Sequence, residues 1–190
     1  MATLLVAGLT ASGKTSATTL AAQRLGYQWI SGSDLRRQFY TLNDADAEGS
    51  RLDQALSASN LNLEEKRLRT DAGEQGFDAE LLRLSTAVTD AVFDVWFLPW
   101  LVGDDHPAIT ALLRAAPQTR AERVARMTGR SVAQAAGVLS DKDERSRRYA
   151  LKQYNIDIDR DHSRFNVVLD TDALTIDEVV DRLCQTVRAG

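Results

Sequence analysis

Eight residues near the start of the chain constrain it more than any other feature. Gly8-Leu9-Thr10-Ala11-Ser12-Gly13-Lys14-Thr15 fits G-x-x-x-x-G-K-[ST] in full. Residues 3–7 before it are a short apolar run, as in a strand buried on both faces, and the residues after it, to about Leu25, read as a helix. Gly8 and Gly13 permit backbone dihedrals that a Cβ would obstruct. Amide groups of the loop and first helical turn, from Thr10, Ala11 and Ser12 through to Ser16, can then face inward as an anion nest at a helix N-terminus. Lys14 is placed to reach the β- and γ-phosphates of a nucleotide, and the Thr15 hydroxyl to coordinate Mg²⁺. ATP and Mg²⁺ are the expected cofactors.

The rest of the chain alternates short apolar runs with helical patterns. Further strands are expected at 27–30, 88–95, 108–113 and 166–170, and helices at about 34–42, 118–128, 131–138 and 140–154. Residues 43–86 are polar with helical spacing. Ile176, Val179, Val180, Leu183 and Val187 share one face of a last helix, and Thr175 with Glu178 makes a capping box at its start. This order predicts an α/β fold: a five-stranded parallel sheet with helices on both faces, in a single domain over 1–190. A helical insertion near 43–86 and another near 118–154 would sit above the carboxyl ends of the strands, where such sheets bind ligands.

Composition excludes several other classes. With 23 basic and 27 acidic residues the net charge is −4, so neither nucleic acid nor membrane is an expected partner. One cysteine, Cys184, cannot build a disulfide framework and is expected as a small core residue. Two histidines and that thiol cannot form a zinc site of the usual kind. There is no long apolar run and no basic leader, so a cytoplasmic location is expected. Arg outnumbers Lys 19 to 4, which makes Lys14 stand out.

Beyond the glycine loop, four spread segments carry a resemblance. They are Leu25-Gly-Tyr27 with Ile30-Ser-Gly-Ser-Asp-Leu-Arg-Arg37, Val92-Phe93-Asp94, Ala116-Pro-Gln-Thr-Arg-Ala-Glu-Arg-Val124, and Asp143-Glu-Arg-Ser-Arg-Arg-Tyr149 with Tyr154-Asn-Ile-Asp-Ile-Asp159. Phe165-Asn-Val-Val-Leu-Asp170-Thr171 adds a fifth. Together they resemble the cytidylate kinase-like branch of the nucleoside monophosphate kinases, above all the short archaeal type, over about residues 3–186. The resemblance implies that Asp34 and Arg37 open the helix facing the phosphate acceptor. It implies that Asp94 stands near Mg²⁺ and the acceptor, that Arg123 lies near the adenine of ATP, and that Arg145 and Arg148 on the lid stabilise the transferring phosphoryl group. Asp34 also reads as the cap of its helix.

The chain departs from the family at one prominent place. Where the family commonly has Gly-Arg after the strand-end acid, this chain has Val95-Trp96, and an indole cannot supply the missing charge. Trp96 is a candidate for stacking on the acceptor, while Phe97 and Trp100 read as core. The lid's early Arg-Glu pair is replaced by Asp141-Lys142. Some of Arg145, Arg147 and Arg148 should pair with Asp141, Asp143 and Glu144 at helical spacing. Three functions follow in order. The first is transfer of the ATP γ-phosphoryl to a nucleoside monophosphate. The second is transfer to another small molecule, such as a modified nucleotide, a sugar or an antibiotic-like hydroxyl compound. The third is non-catalytic ATP binding.

Overall fold

The computed structural model describes residues 2–41 and 71–190. Most of the polar stretch read between 43 and 86 therefore lies outside the described residues. Five strands form one all-parallel sheet in the order β2-β3-β1-β4-β5. They are β1 (Leu4–Ala7), β2 (Gln28–Ser31), β3 (Ala91–Asp94), β4 (Ile109–Arg114) and β5 (Val167–Asp170). The described helices are α1 (Lys14–Leu25), α2 (Gly32–Thr41), α3 (Asp71–Ala87), α4 (Leu98–Leu101), α5 (Pro117–Thr128), α6 (Val132–Tyr154) and α7 (Ile176–Ala189).

All four residues of β1 are fully buried, because the strand is central and covered on both faces. The two-residue strand period divides them. Leu4 and Val6 pack with Ala17 and Ala21 of α1 and Val180 and Leu183 of α7. Leu5 turns the other way, onto Phe77 and Leu81 of α3 and Leu98 of α4. The helices therefore cover both faces, as the alternating pattern predicted. Cys184 is buried in the first of these cores, and burial pushes its thiol pKa up.

Several boundaries differ from expectation. The third apolar run contributes only Ala91–Asp94 to the sheet: the Val88 amide closes the end of α3 on Leu84 O, and Asp90 takes a left-handed φ of 56° in the turn. The two helices expected within 131–154 are one, Val132–Tyr154. Gly137 does not break it. A mid-helix glycine costs only about 1 kcal/mol. Against that stand the Ser131–Gln134 capping box and the burial of Ala135 and Leu139 against Ala121 and Val124 of α5. Asp34 is not the cap of α2. The helix begins at Gly32, and the Ser31 hydroxyl accepts from the Asp34 amide at 3.2 Å. In α7 the predicted capping box is present, but Ile176 in its first turn is exposed, so the buried stripe starts at Val179.

Candidate active site

The carboxyl ends of β1 and β3 meet the start of α1. Gly8 has a φ of 149°, and a Cβ there would lie 2.4 Å from the Leu113 carbonyl oxygen and 2.7 Å from Ser12 Oγ. Gly13 (φ 92°) and the non-glycine Ala11 (φ 63°) are also left-handed, so the loop alternates the backbone conformations that make an anion nest. Thr10 and Ser12 complete the loop, and Thr15 and Ser16 stand exposed in the first turn of α1.

The half-buried Lys14 directs Nζ toward Leu9 O at 3.4 Å. Burial lowers its pKa, the Asp94 carboxylate works against that, and the Arg120 guanidinium reinforces it. This ammonium has given up water and gains by meeting an anion. Thr15 Oγ1 donates to Asp94 Oδ2 at 2.6 Å. The sheet register creates this contact: Asp94 pairs with Val6, two residues before Gly8. A hydroxyl and a carboxylate at this separation suit Mg²⁺, which takes oxygen ligands and is commonly held by one carboxylate plus substrate phosphates. No cluster of three or more His, Cys, Asp or Glu able to hold a metal alone occurs among the described residues.

The acceptor-side candidates lie beside Asp94. Ser31 pairs with Asp94 across β2 and β3, so α2 starts next to that carboxylate. Asp34 and Arg37 face one another there as an ion pair. Trp96 is half-buried and stacks on Phe97, with ring centroids 4.8 Å apart, and lies 6.0 Å from the Tyr149 ring. Phe97 and Trp100 are buried, as expected of core residues.

Other candidates are placed differently. Arg123 donates to Ala11 O at 3.2 Å and to both oxygens of Thr171, at 3.1 and 2.8 Å, so it is a near neighbour of the loop. Arg145 and Arg148 are exposed on α6 and line an open pocket with Tyr149, Lys152 and Gln153. Arg148 pairs with Glu144 at 3.2 Å. Neither arginine hydrogen-bonds the glycine loop among the described residues. Arg147 reaches Asp159, and Asp143 pairs with none of these neighbours on its own helix.

Asp143 instead forms a buried two-pronged pair with Arg120 of α5, at 3.1 and 2.5 Å, and Arg120 also donates to Thr10 O at 3.2 Å. Sequence reasoning missed this pair. It also missed Asp78, a buried carboxylate on α3 that accepts from Tyr149 at 2.6 Å and Tyr154 at 3.0 Å. Desolvation raises the Asp78 pKa, more than these phenols and Arg36 lower it. Burial likewise raises the Tyr149 pKa and pushes that of Tyr154 up to about 12. One signal was available: at i+3 and i+4 Asp78 shares a helix face with the apolar Leu81 and Leu82.

Archaeal cytidylate kinases align with nearly the whole chain. That of Sulfurisphaera tokodaii is 26% identical over 176 residues, 93% of this chain and 89% of the relative. That of Natronomonas pharaonis is 28% identical over 177 residues, 92% and 83% of the two chains. That of Pyrobaculum arsenaticum is 28% identical over 180 residues, 95% and 89%. The chain is similar to these cytidylate kinases over most of its length, and the likeness supports an ATP-dependent P-loop kinase. No protein-family model matches it. The same fold recurs in a gluconokinase from Sinorhizobium meliloti 1021 (TM-score 0.63, 17% identity, 99% of this chain and 92% of that one). It recurs in a shikimate kinase from Acinetobacter baumannii in complex with shikimate (TM-score 0.58, 13% identity, 100% and 94%). No helix among the described residues is long and apolar enough to cross a membrane.

Proposed function

We propose that this P-loop kinase transfers the γ-phosphoryl group of ATP, with Mg²⁺, to a nucleoside monophosphate of the cytidylate kind. The observation that carries the reading is the 2.6 Å contact between Thr15 and Asp94 beside the desolvated Lys14. The alignment with cytidylate kinases over more than nine-tenths of the chain supports the acceptor class.

Thr15 and Asp94 would hold Mg²⁺, which would supply charge stabilisation for the transferring phosphoryl group. Lys14 holds the β- and γ-phosphates as a point charge. Asp34 and Arg37 hold the acceptor, and its phosphate oxygen forms the new bond to the γ-phosphorus as the bond to the β–γ bridging oxygen breaks, releasing ADP. Arg145 and Arg148 join when the helical region about 118–154 closes, and the segment about 31–86 carries the acceptor. Catalysis is then positioning plus electrostatics, with water excluded. In this reading one domain does the work, in the cytoplasm.

Purified protein with ATP·Mg²⁺ and a panel of ribo- and deoxyribonucleoside monophosphates should form ADP and the matching diphosphate. Turnover of none of them sinks the reading. The half-buried Trp96, backed by the buried Phe97 and beside Tyr149, favours a second reading, a kinase for another small molecule that presents a flat neutral face. Trp96→Arg restores a cation at the departed position. It should raise the kcat/KM for CMP on the first reading and bring no gain on the second.

A further inference from the structure

Three consecutive carbonyls of the glycine loop are each held from outside by a side chain. Arg120 Nη1 donates to Thr10 O at 3.2 Å, Arg123 Nη1 to Ala11 O at 3.2 Å, and Thr171 Oγ1 to Ser12 O at 3.0 Å. The donors come from one face of α5, at i and i+3, and from the residue that follows β5. None belongs to the loop or to the helix it opens.

A trans peptide is planar, so the C=O of one residue and the N–H of the next point in opposite directions. Fixing the carbonyls of 10, 11 and 12 toward α5 and β5 therefore fixes the amides of 11, 12 and 13 the other way. One amide reports that direction. Ser12 N–H points at Leu9 O, at 3.2 Å, and Lys14 Nζ approaches the same oxygen. The Ser12 amide thus faces the side of the loop where the P-loop lysine is. The arrangement also sustains Ala11 at φ 63°, a conformation that costs a non-glycine residue free energy unless its surroundings impose it.

We infer that Arg120, Arg123 and Thr171 are positioning residues for phosphate binding: they orient the amides of Ala11, Ser12 and Gly13 by restraining the preceding carbonyls. Thr171 is the most economical of the three. It is buried, its hydroxyl donates to Ser12 O while accepting from Arg123 Nη1, and so one oxygen couples two of the restraints. Its own amide is held by Arg114 O at 2.8 Å, so the hydroxyl is aimed by the sheet. The inference rests on the nucleotide-phosphotransfer reading and extends it to residues that need not touch the nucleotide.

The test is ADP affinity, measured by titration calorimetry with Mg²⁺ present. Thr171→Val keeps shape and volume but loses the hydroxyl, and should weaken ADP about tenfold. Thr171→Ser restores the hydroxyl and should bind within about twofold of the natural chain, a rescue that packing alone does not produce. Arg123→Met removes the neighbouring restraint and should weaken both ADP and inorganic pyrophosphate by a similar factor, whereas loss of a contact to the base alone would leave pyrophosphate unchanged; this keeps the test open if the valine variant fails to fold. ADP affinity equal to that of the natural chain in the folded variants overturns the inference. A natural chain that binds no ADP instead overturns the nucleotide reading beneath it.

Discussion

At the residue scale, Gly8 shows how the site depends on a missing atom. An added Cβ meets backbone oxygen of β4 at 2.4 Å, and backbone cannot swing aside as a side-chain end can. Gly8→Ala should therefore cost about 3 kcal/mol of stability, read as a lower urea midpoint, with nucleotide binding lost alongside. A midpoint unchanged from the natural chain contradicts this account. Residues of this sort were legible in the sequence, because the motif states the chemistry at fixed spacing. Residues such as Arg120 and Thr171 were not. Arg120 and Asp143 are 23 positions apart on different helices, and nothing in either local pattern names the other as partner. Asp34 misled for the opposite reason: it is a good capping residue type, but Ser31 stands three positions earlier and takes that place.

At the element scale, α6 is held on both sides by buried polar contacts. Breaking one partner of the Arg120–Asp143 pair leaves a desolvated charge behind. Arg120→Met should cost about 3–5 kcal/mol, while the double change Arg120→Met with Asp143→Leu should recover most of it. Chemical denaturation of the single and double variants checks this, and a double variant no better than the single would refute it. The join between α3 and α6 is sensitive to acidity instead. Because burial raises the Asp78 pKa, the unfolded chain releases its proton first as pH climbs from the ordinary carboxylate range through the raised value. The folded state binds more protons across that window, so its stability falls as pH rises there and levels off above it. Asp78→Asn keeps an acceptor for both tyrosines and removes the slope. Thermal midpoints in stepped buffers should show the asparagine variant gaining on the natural chain as pH rises, whereas parallel curves would exclude this assignment. The strands and α7 were readable because their signals are local and periodic. The continuity of α6 was not, because Gly137 resembles a stop until the packing of Ala135 and Leu139 is known.

At the scale of the whole molecule, binding and folding are linked through the same sheet ends. ADP with Mg²⁺ at about 100 times its Kd should raise the melting temperature by roughly 5–10 °C. Chelating the metal should shrink that gain, and in Asp94→Asn the gain should no longer respond to chelation. A metal response that survives Asp94→Asn would remove Asp94 from the metal site. The unbroken 23 residues of α6 have a mechanical consequence as well. At 1.5 Å per residue they form a beam about 35 Å long. Asp143 bears on α5 and, through Arg120, on Thr10, while Tyr149, Gln153 and Tyr154 bear on α3. Such a beam has no joint between its two bearings. Whatever tips it at α5 is felt in the same movement at α3.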